Sequence, residues 1–270
     1  LLSLEKQMLF LISATEAIDV KQLVEIYQAR GVANQVVRNA LTRLKRDGYV
    51  ISPERSKYAI TAYGLGFITA INKKSLLFDK NWDGEWLTIM FEVPETERKN
   101  RDSFRNGLLQ LGFAALYKSV YINPWNYTKE VLSLAEQYNM TDFFTIIRGK
   151  FVYPEPTEIE VKRLWPLNEL NEVYKAKVNW FRLEFIPATT PLLQATDDDL
   201  SLFVRFLELG EMLADLSLQD PILPKVLLNE NWLGRSYYYE MQQYLKQIAN
   251  AIQPSSHYHI FVDCFLKGNY

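Results

Sequence analysis

Between residues 35 and 46 the chain follows a helical period and splits into two stripes that cannot share one environment. Val37, Ala40, Leu41 and Leu44 recur on one face and call for burial. Gln35, Arg38, Asn39 and Thr42 fall on the opposite face, flanked by Arg43, Lys45 and Arg46. Such a helix needs an apolar support behind it and water or a polyanion in front, which excludes a buried bundle helix and a membrane span.

The flanking residues supply the support. Residues 4–13 are apolar at Leu4, Met8, Leu11 and Ile12. Asp19 is placed to cap a second helix over 20–29 with an apolar face of Val20, Leu23, Val24 and Tyr27. Gly31 permits a tight turn, Asn34 is expected to cap the third helix, and Asp47-Gly48 ends it. Two short strands, 49–52 and 57–61, enclose Pro53-Glu54-Arg55-Ser56. Three helices followed by a hairpin with a charged tip is the order of a winged helix-turn-helix.

Arginine and the side-chain amides can pair bidentately with guanine and adenine edges in the major groove. Base contacts come mostly from the first turns of a recognition helix. Gln35, Arg38, Asn39 and Thr42 are therefore assigned to base reading, Arg43, Lys45 and Arg46 to phosphates, and Arg55 and Lys57 of the wing to phosphate or the minor groove. Four cations within residues 38–46 favour nucleic acid over the bland alternative, a solvated face on a protein-interaction scaffold. The net charge of -2 is unevenly spread: about +5 over residues 1–75, about -2 over 76–156 and about -5 over 157–270. Only the first segment is suited to a polyanion.

The remainder reads as globular, with 48% hydrophobic and 23% charged residues in 270. Its longest stretch without a charged residue, 247–262, contains Pro254 and two histidines and is no membrane span. The opening Leu1-Leu2-Ser3-Leu4-Glu5-Lys6 lacks the build of a signal peptide. The one cysteine, Cys264, excludes a disulfide framework within the chain and fits a reducing, cytoplasmic setting.

Residues 72–81 read as a linker. Beyond it come strand 86–93, helix 98–111, strands 113–118 and 120–123, helix 128–138 and strand 143–149, the β-α-β-β-α-β order of a ferredoxin-like domain. After Pro156 the pattern is helical, with amphipathic helices over 167–185, 198–218 and 235–252. The expected fold class is thus α+β and multidomain, divided into a winged helix-turn-helix (1–75), a ferredoxin-like middle domain (82–156) and a mostly helical effector and dimerisation domain (157–270).

One block is more specific. Trp82-Asp83-Gly84-Glu85-Trp86, then Phe91, Pro94-Glu95, Arg98, Arg101, Phe104-Arg105, Leu108, Gly112-Phe113, Leu116, Val120 and Ile122-Asn123-Pro124, resembles the phenylacetic-acid catabolism repressor family (PaaX-like). The resemblance continues at Leu223-Pro224, Leu227-Leu228 and Trp232-Leu233-Gly234. It implies a GntR-like winged helix, a Cas2-like core and a helical carboxy-terminal domain. It also implies a homodimeric repressor of phenylacetate catabolism, bound to operator DNA and released by an aryl-CoA such as phenylacetyl-CoA. The family's usual Asp-Ile-Pro-Glu is Glu92-Val93-Pro94-Glu95 here.

No catalytic site, metal or cofactor is expected, and the effector pocket has no assignment. A CoA ester would need local cations, for which Arg148, Lys150, Arg182, Arg205 and Arg235 are candidates. His257-x-His259, on an extended chain, would form half of a metal site, and Gly64-x-Gly66 is expected to permit a turn rather than cradle a phosphate. Asp197-Asp198-Asp199 suits the positive end of a helix. The enzymatic rival is a metal-dependent nuclease using Glu92 and Glu95 at the end of the first middle strand.

Overall fold

Short apolar stripes punctuated by Asp and Gly shape the first sixty residues. In the computed structural model, which describes residues 3–154, 156, 158–195 and 198–267, they form α1 (Ser3–Ser13), β1 (Ile18–Asp19), α2 (Val20–Ala29), α3 (Asn34–Arg46), β2 (Val50–Ile51) and β3 (Lys57–Ile60). The Asp19 carboxylate accepts from the Lys21 amide at 2.7 Å and caps α2 as expected. Gly31 and Gly48 take left-handed φ values of 75° and 79° where the chain leaves α2 and α3. The three strands pair antiparallel in the order β1-β3-β2. The sequence reading missed β1, because two residues carry no period.

Two local expectations fail. Ala33, not Asn34, is the residue before α3, and no side chain caps that end. Gly64 and Gly66 lie within a helix, α4 (Ala62–Ser75), rather than in a turn, and the end of that helix with a 3₁₀ turn over Leu76–Asp79 occupies most of the expected linker. Gly64 is needed for close approach: a Cβ there would fall 2.2 Å from the Tyr49 carbonyl oxygen, whereas one at Gly66 would meet nothing within 4 Å.

The middle segment follows its pattern closely: β4 (Trp86–Phe91), α5 (Arg98–Gln110), β5 (Ala114–Tyr117), β6 (Val120–Asn123), α6 (Thr128–Gln137) and β7 (Phe144–Gly149). The sheet is antiparallel, ordered β5-β6-β4-β7, with Leu87 opposite both Asn123 and Arg148. Strand alternation divides β4 between two cores. Leu87, Ile89 and Phe91 pack with Phe104, Leu108, Val131 and Ala135 beneath α5 and α6. Trp86 points the other way, into a cluster with Ala114, Ile122, Val161, Trp165, Leu167, Leu223 and Leu227.

The later elements are α7 (Glu158–Leu164), α8 (Leu167–Trp180), a π-helical turn (Phe181–Phe185), α9 (Ile186–Gln194), α10 (Asp199–Gln219), α11 (Gly234–Ala251) and α12 (His259–Lys267). The expected helix 167–185 thus runs on through the π turn. His259 opens α12, so the extended spacing proposed for the two histidines does not occur. Asp198 accepts from the Ser201 amide at 3.0 Å at the start of α10; Asp197 of the same run lies outside the described residues.

Packing divides the chain into two compact units. One combines residues 1–74 with 174–216 and 234–270; the other combines 75–173 with 217–233. Within the first, Phe10 of α1 meets Phe206 of α10 at 6.5 Å, and the Gln7 amide donates to the Leu207 carbonyl at 2.8 Å. Arg30 bridges Gln7 and Glu211, the latter at 2.6 Å, Lys6 pairs with Asp215 at 3.4 Å, and the Tyr258 hydroxyl of the turn before α12 donates to Glu25 at 2.9 Å. Within the second, Trp125 donates to the Ile222 carbonyl at 2.6 Å and Trp165 to that of Gly112 at 3.0 Å.

The two helical glycines give opposite expectations. Gly64→Ala must displace the Tyr49 backbone and should destabilise the protein by about 1–3 kcal/mol, the usual cost of overpacking. Gly66→Ala gains helix propensity and should stabilise it by up to about 1 kcal/mol. Urea unfolding of the two variants checks both; equal midpoints would refute the close approach.

Candidate nucleic-acid interface

Helix α3 is supported from behind as its period requires. Val37, Ala40, Leu41 and Leu44 are all at most 1% exposed. With those four positions pinned, the 100° step of the helix turns Gln35, Arg38, Asn39 and Thr42 outward, and all four are exposed. The Gln35 amide donates to Asn39 Oδ1 at 2.9 Å one turn on, and the Thr42 hydroxyl is turned back on the Arg38 carbonyl at 2.9 Å. Both contacts are between solvated groups that another acceptor can replace.

The cations of this region are differently engaged. Arg38, Lys45 and Arg55 are exposed and have no ion-pair partner among the described residues. Arg43 is half-buried, its Nε 2.5 Å from the Glu5 carboxylate, which is itself 5% exposed; this pair fastens α3 to α1. Arg46 is exposed and grips the neighbouring Asp47 at 2.8 and 3.2 Å. That hydrogen bond holds the Asp47 carboxyl below its ordinary range and the Arg46 guanidinium above its own. Lys57 pairs with Glu54 at 2.8 Å within the hairpin, and its ammonium is raised by the same partner. Exposed pairs of this kind are worth little, so Arg46 and Lys57 can exchange a carboxylate for a phosphate at small cost.

The hairpin itself is built by short-range bonds. Ser52 Oγ donates to the Glu54 carbonyl, the Lys57 amide closes a turn on the same carbonyl, and Ser56 takes a left-handed φ of 62°. The Val20 amide donates to the Ser56 carbonyl at 2.9 Å and so ties the hairpin to the start of α2. Arg55 stands at the exposed tip. The fold therefore brings seven predicted residues along one helix and two onto the adjacent hairpin.

Sequence reasoning overlooked Glu5, whose signal was present: a carboxylate one turn from the buried Met8 and Leu9, on a helix whose interior it can enter only with a cation. It also overlooked Tyr49, whose ring lies 4.8 Å from Tyr63 and 5.3 Å from Phe67 and seats α4 beside the hairpin.

The residues considered for a nuclease are arranged otherwise. Glu95 is held by Arg98 at 3.3 Å and Arg101 at 3.4 Å, and Glu92 is exposed. Among the described residues no three His, Cys, Asp or Glu side chains are grouped to hold a metal ion, and no helix is long and apolar enough to cross a membrane.

Comparison with known proteins agrees with this architecture. The uncharacterised protein Rv0674 from Mycobacterium tuberculosis is similar in structure, with a TM-score of 0.51 and 17% identity over 86% of this chain and 91% of that one. At that identity the likeness concerns the fold alone. No curated protein matches the chain. Residues 9–64 match the family model of the PaaX-like protein, and residues 79–161, which contain β4 through β7, match that of the PaaX protein central Cas2-like domain. With two models matched in order along the chain, the protein belongs to the PaaX-like family, a membership that points to a regulator of phenylacetic-acid catabolism rather than to an enzyme.

Proposed function

We propose that residues 3–60 form a winged helix-turn-helix that binds double-stranded operator DNA, in a cytoplasmic homodimeric repressor that an aryl-CoA such as phenylacetyl-CoA releases. The observation that carries the reading is α3: its apolar stripe is buried and its whole amide and arginine stripe is exposed. The element order α-β-α-α-β-β, the antiparallel order β1-β3-β2 and the charged hairpin tip support the same assignment. Family membership supports the repressor role, and the single cysteine supports a reducing compartment. In this reading DNA is read by residues 1–75, the Cas2-like middle segment spans 82–156, and residues 157–270 supply the dimer contact.

The engagement of each cation refines the roles. Arg38, Gln35 and Asn39 meet base edges, because they are exposed in the first two turns of α3. Lys45, Arg46, Arg55 and Lys57 contact phosphates. Arg43 sets the angle of α3 against α1 through Glu5, with its remaining guanidinium nitrogens available to the backbone.

Titration of an operator from the protein's own upstream region, by mobility shift at fixed salt, tests the assignment. Arg38→Ala should weaken binding by about 1–3 kcal/mol and relax preference at one base pair, whereas Lys45→Ala should weaken all sequences alike and lower the salt slope by about one. Wild-type affinity in both variants would remove α3 from the interface, leaving the protein-interaction scaffold as the better reading.

The release step has its own test. If an aryl-CoA binds the form that fits operator poorly, operator must weaken aryl-CoA binding by the factor with which aryl-CoA weakens operator binding. Calorimetry of phenylacetyl-CoA against free and operator-bound protein should give two affinities differing by that factor. Identical affinities would show that the compound is not the inducer.

A further inference from the structure

The second unit holds five indoles, those of Trp82, Trp86, Trp125, Trp165 and Trp232, all buried or half-buried, and three of them donate to backbone carbonyls: Trp82 to Glu85 at 3.0 Å, Trp125 to Ile222 at 2.6 Å and Trp165 to Gly112 at 3.0 Å. Trp86 does not. It is 1% exposed, yet its Nε1–H meets no acceptor among the described residues. Leaving a buried donor unmatched costs about 1–3 kcal/mol, so this indole N–H is free to take an acceptor from outside the chain.

The surroundings of Trp86 describe that partner. Its ring is stacked with Trp165 at 6.4 Å and meets Trp82 and Phe151 edge-on at 5.2 and 6.0 Å. Flat walls of this kind suit an aromatic ring. Two further buried atoms on segments flanking the cluster lack partners, and both are acceptors: Asn171 Oδ1, one turn after Leu167, and Asn229 Oδ1, next to Leu228. A ligand for Trp86 offers a ring and an acceptor oxygen. An aryl-acyl thioester of pantetheine has both, in its aryl group and its thioester carbonyl, and its amides are N–H donors of the kind that the two asparagine oxygens lack.

The cations agree. Of the five considered from the sequence, Arg148 is committed to Asp83 and Glu85, Arg182 to Glu240 and Arg205 to Glu208, and Arg235 lies over the Tyr239 ring. Lys150 is exposed, without an ion-pair partner among the described residues, and its side chain lies against Gly84 of the loop between Trp82 and Trp86. Beyond it Phe151 covers one edge of Trp86, and the run continues into Val152 and Tyr153, which are 100% and 90% exposed. Phe151, like Trp82, is thus a wall of the cluster carried by a loop with exposed neighbours, and its displacement would give access to the Trp86 ring.

We propose that the Trp82-Trp86-Phe151-Trp165 cluster is the effector site. In it the rings hold the aryl group, the Trp86 indole N–H donates to the thioester carbonyl, and Lys150 meets a CoA phosphate. This rests on the aryl-CoA reading above and places the effector within the second compact unit, where Trp165 joins residues of the Cas2-like segment.

The test uses the full chain labelled with 15N at the indoles. On titration with phenylacetyl-CoA, the line that Trp86→Phe removes should shift. Trp86→Phe should weaken binding at least about tenfold by calorimetry, the weight of one hydrogen bond, while Trp125→Phe should leave it unchanged. Lys150→Glu, at an exposed position that folding does not need, should weaken phenylacetyl-CoA and not phenylacetate, which has no phosphate. Should Trp86→Phe fail to fold, the Lys150→Glu contrast and the wild-type indole shifts decide. Binding with every indole line unmoved, or with wild-type affinity in a folded Trp86→Phe or in Lys150→Glu, overturns the site and leaves the effector reading standing. If the wild type binds no aryl thioester, both fall, and DNA binding is judged by mobility shift alone.

Discussion

The first unit depends on a helix that cannot be left with a wet face. On α10, Leu202, Phe206, Leu209, Leu213 and Leu216 form one apolar stripe and Phe203 and Leu207 widen it, all at most 4% exposed. Helices apolar over so broad an arc need covering from two sides. On one side Phe206 meets Phe10 of α1; on the other Phe203 stacks on Tyr258 and Phe261, and Phe206 meets Phe265. Each buried side chain of this size contributes about 1.5–3 kcal/mol. Segments nearly two hundred residues apart are joined for that reason, and the polar contacts of Gln7, Arg30 and Lys6 select the register in which they join. Helix α3 inherits its position from this arrangement, because Glu5, which holds Arg43, belongs to the helix that α10 supports.

The second unit is organised by alternation along one strand. Successive residues of β4 face opposite sides of the sheet, so Leu87, Ile89 and Phe91 supply the core beneath α5 and α6 while Trp86 is sent to the other side. The Trp-Asp-Gly-Glu-Trp block turns just before it. Gly84 takes a φ of 79°, Asp83 Oδ1 accepts from the Glu85 amide at 3.0 Å, and Arg148 of β7 grips Asp83. The block is therefore a local device that places two tryptophans against one face of the sheet. Its residues are spent on position, apart from the Trp86 indole N–H.

What was legible in the sequence follows from range. The β-α-β-β-α-β order, the apolar stripe of α3 and the cap at Asp19 are written within a few residues of one another and were read correctly. The cap assigned to Asn34 and the turn assigned to Gly64 failed because both rest on residue type, while the outcome was set by the neighbouring Tyr49 carbonyl and by where α3 begins. Helix α12 was missed because its apolar residues serve a partner, Phe203, that no local pattern reveals. For the nine residues assigned to DNA, the sequence grouped side chains that the fold does set along α3 and the adjacent hairpin, without separating Arg43, drawn to Glu5, from Arg38, Lys45 and Arg55, which have no ion-pair partner among the described residues.

By itself, then, the sequence determined the elements, the basic and amide face of α3 and the resemblance of the Trp-Asp-Gly-Glu-Trp block, since periodicity, capping and turn chemistry are local properties of the chain. Only the tertiary structure decided that α10 supports the amino-terminal helices and which arginines are bound in ion pairs. It alone decided, too, that the buried Trp86 indole meets no acceptor among the described residues. Those outcomes depend on which distant groups come within hydrogen-bond reach once the apolar faces are buried, and no spacing along the chain encodes that.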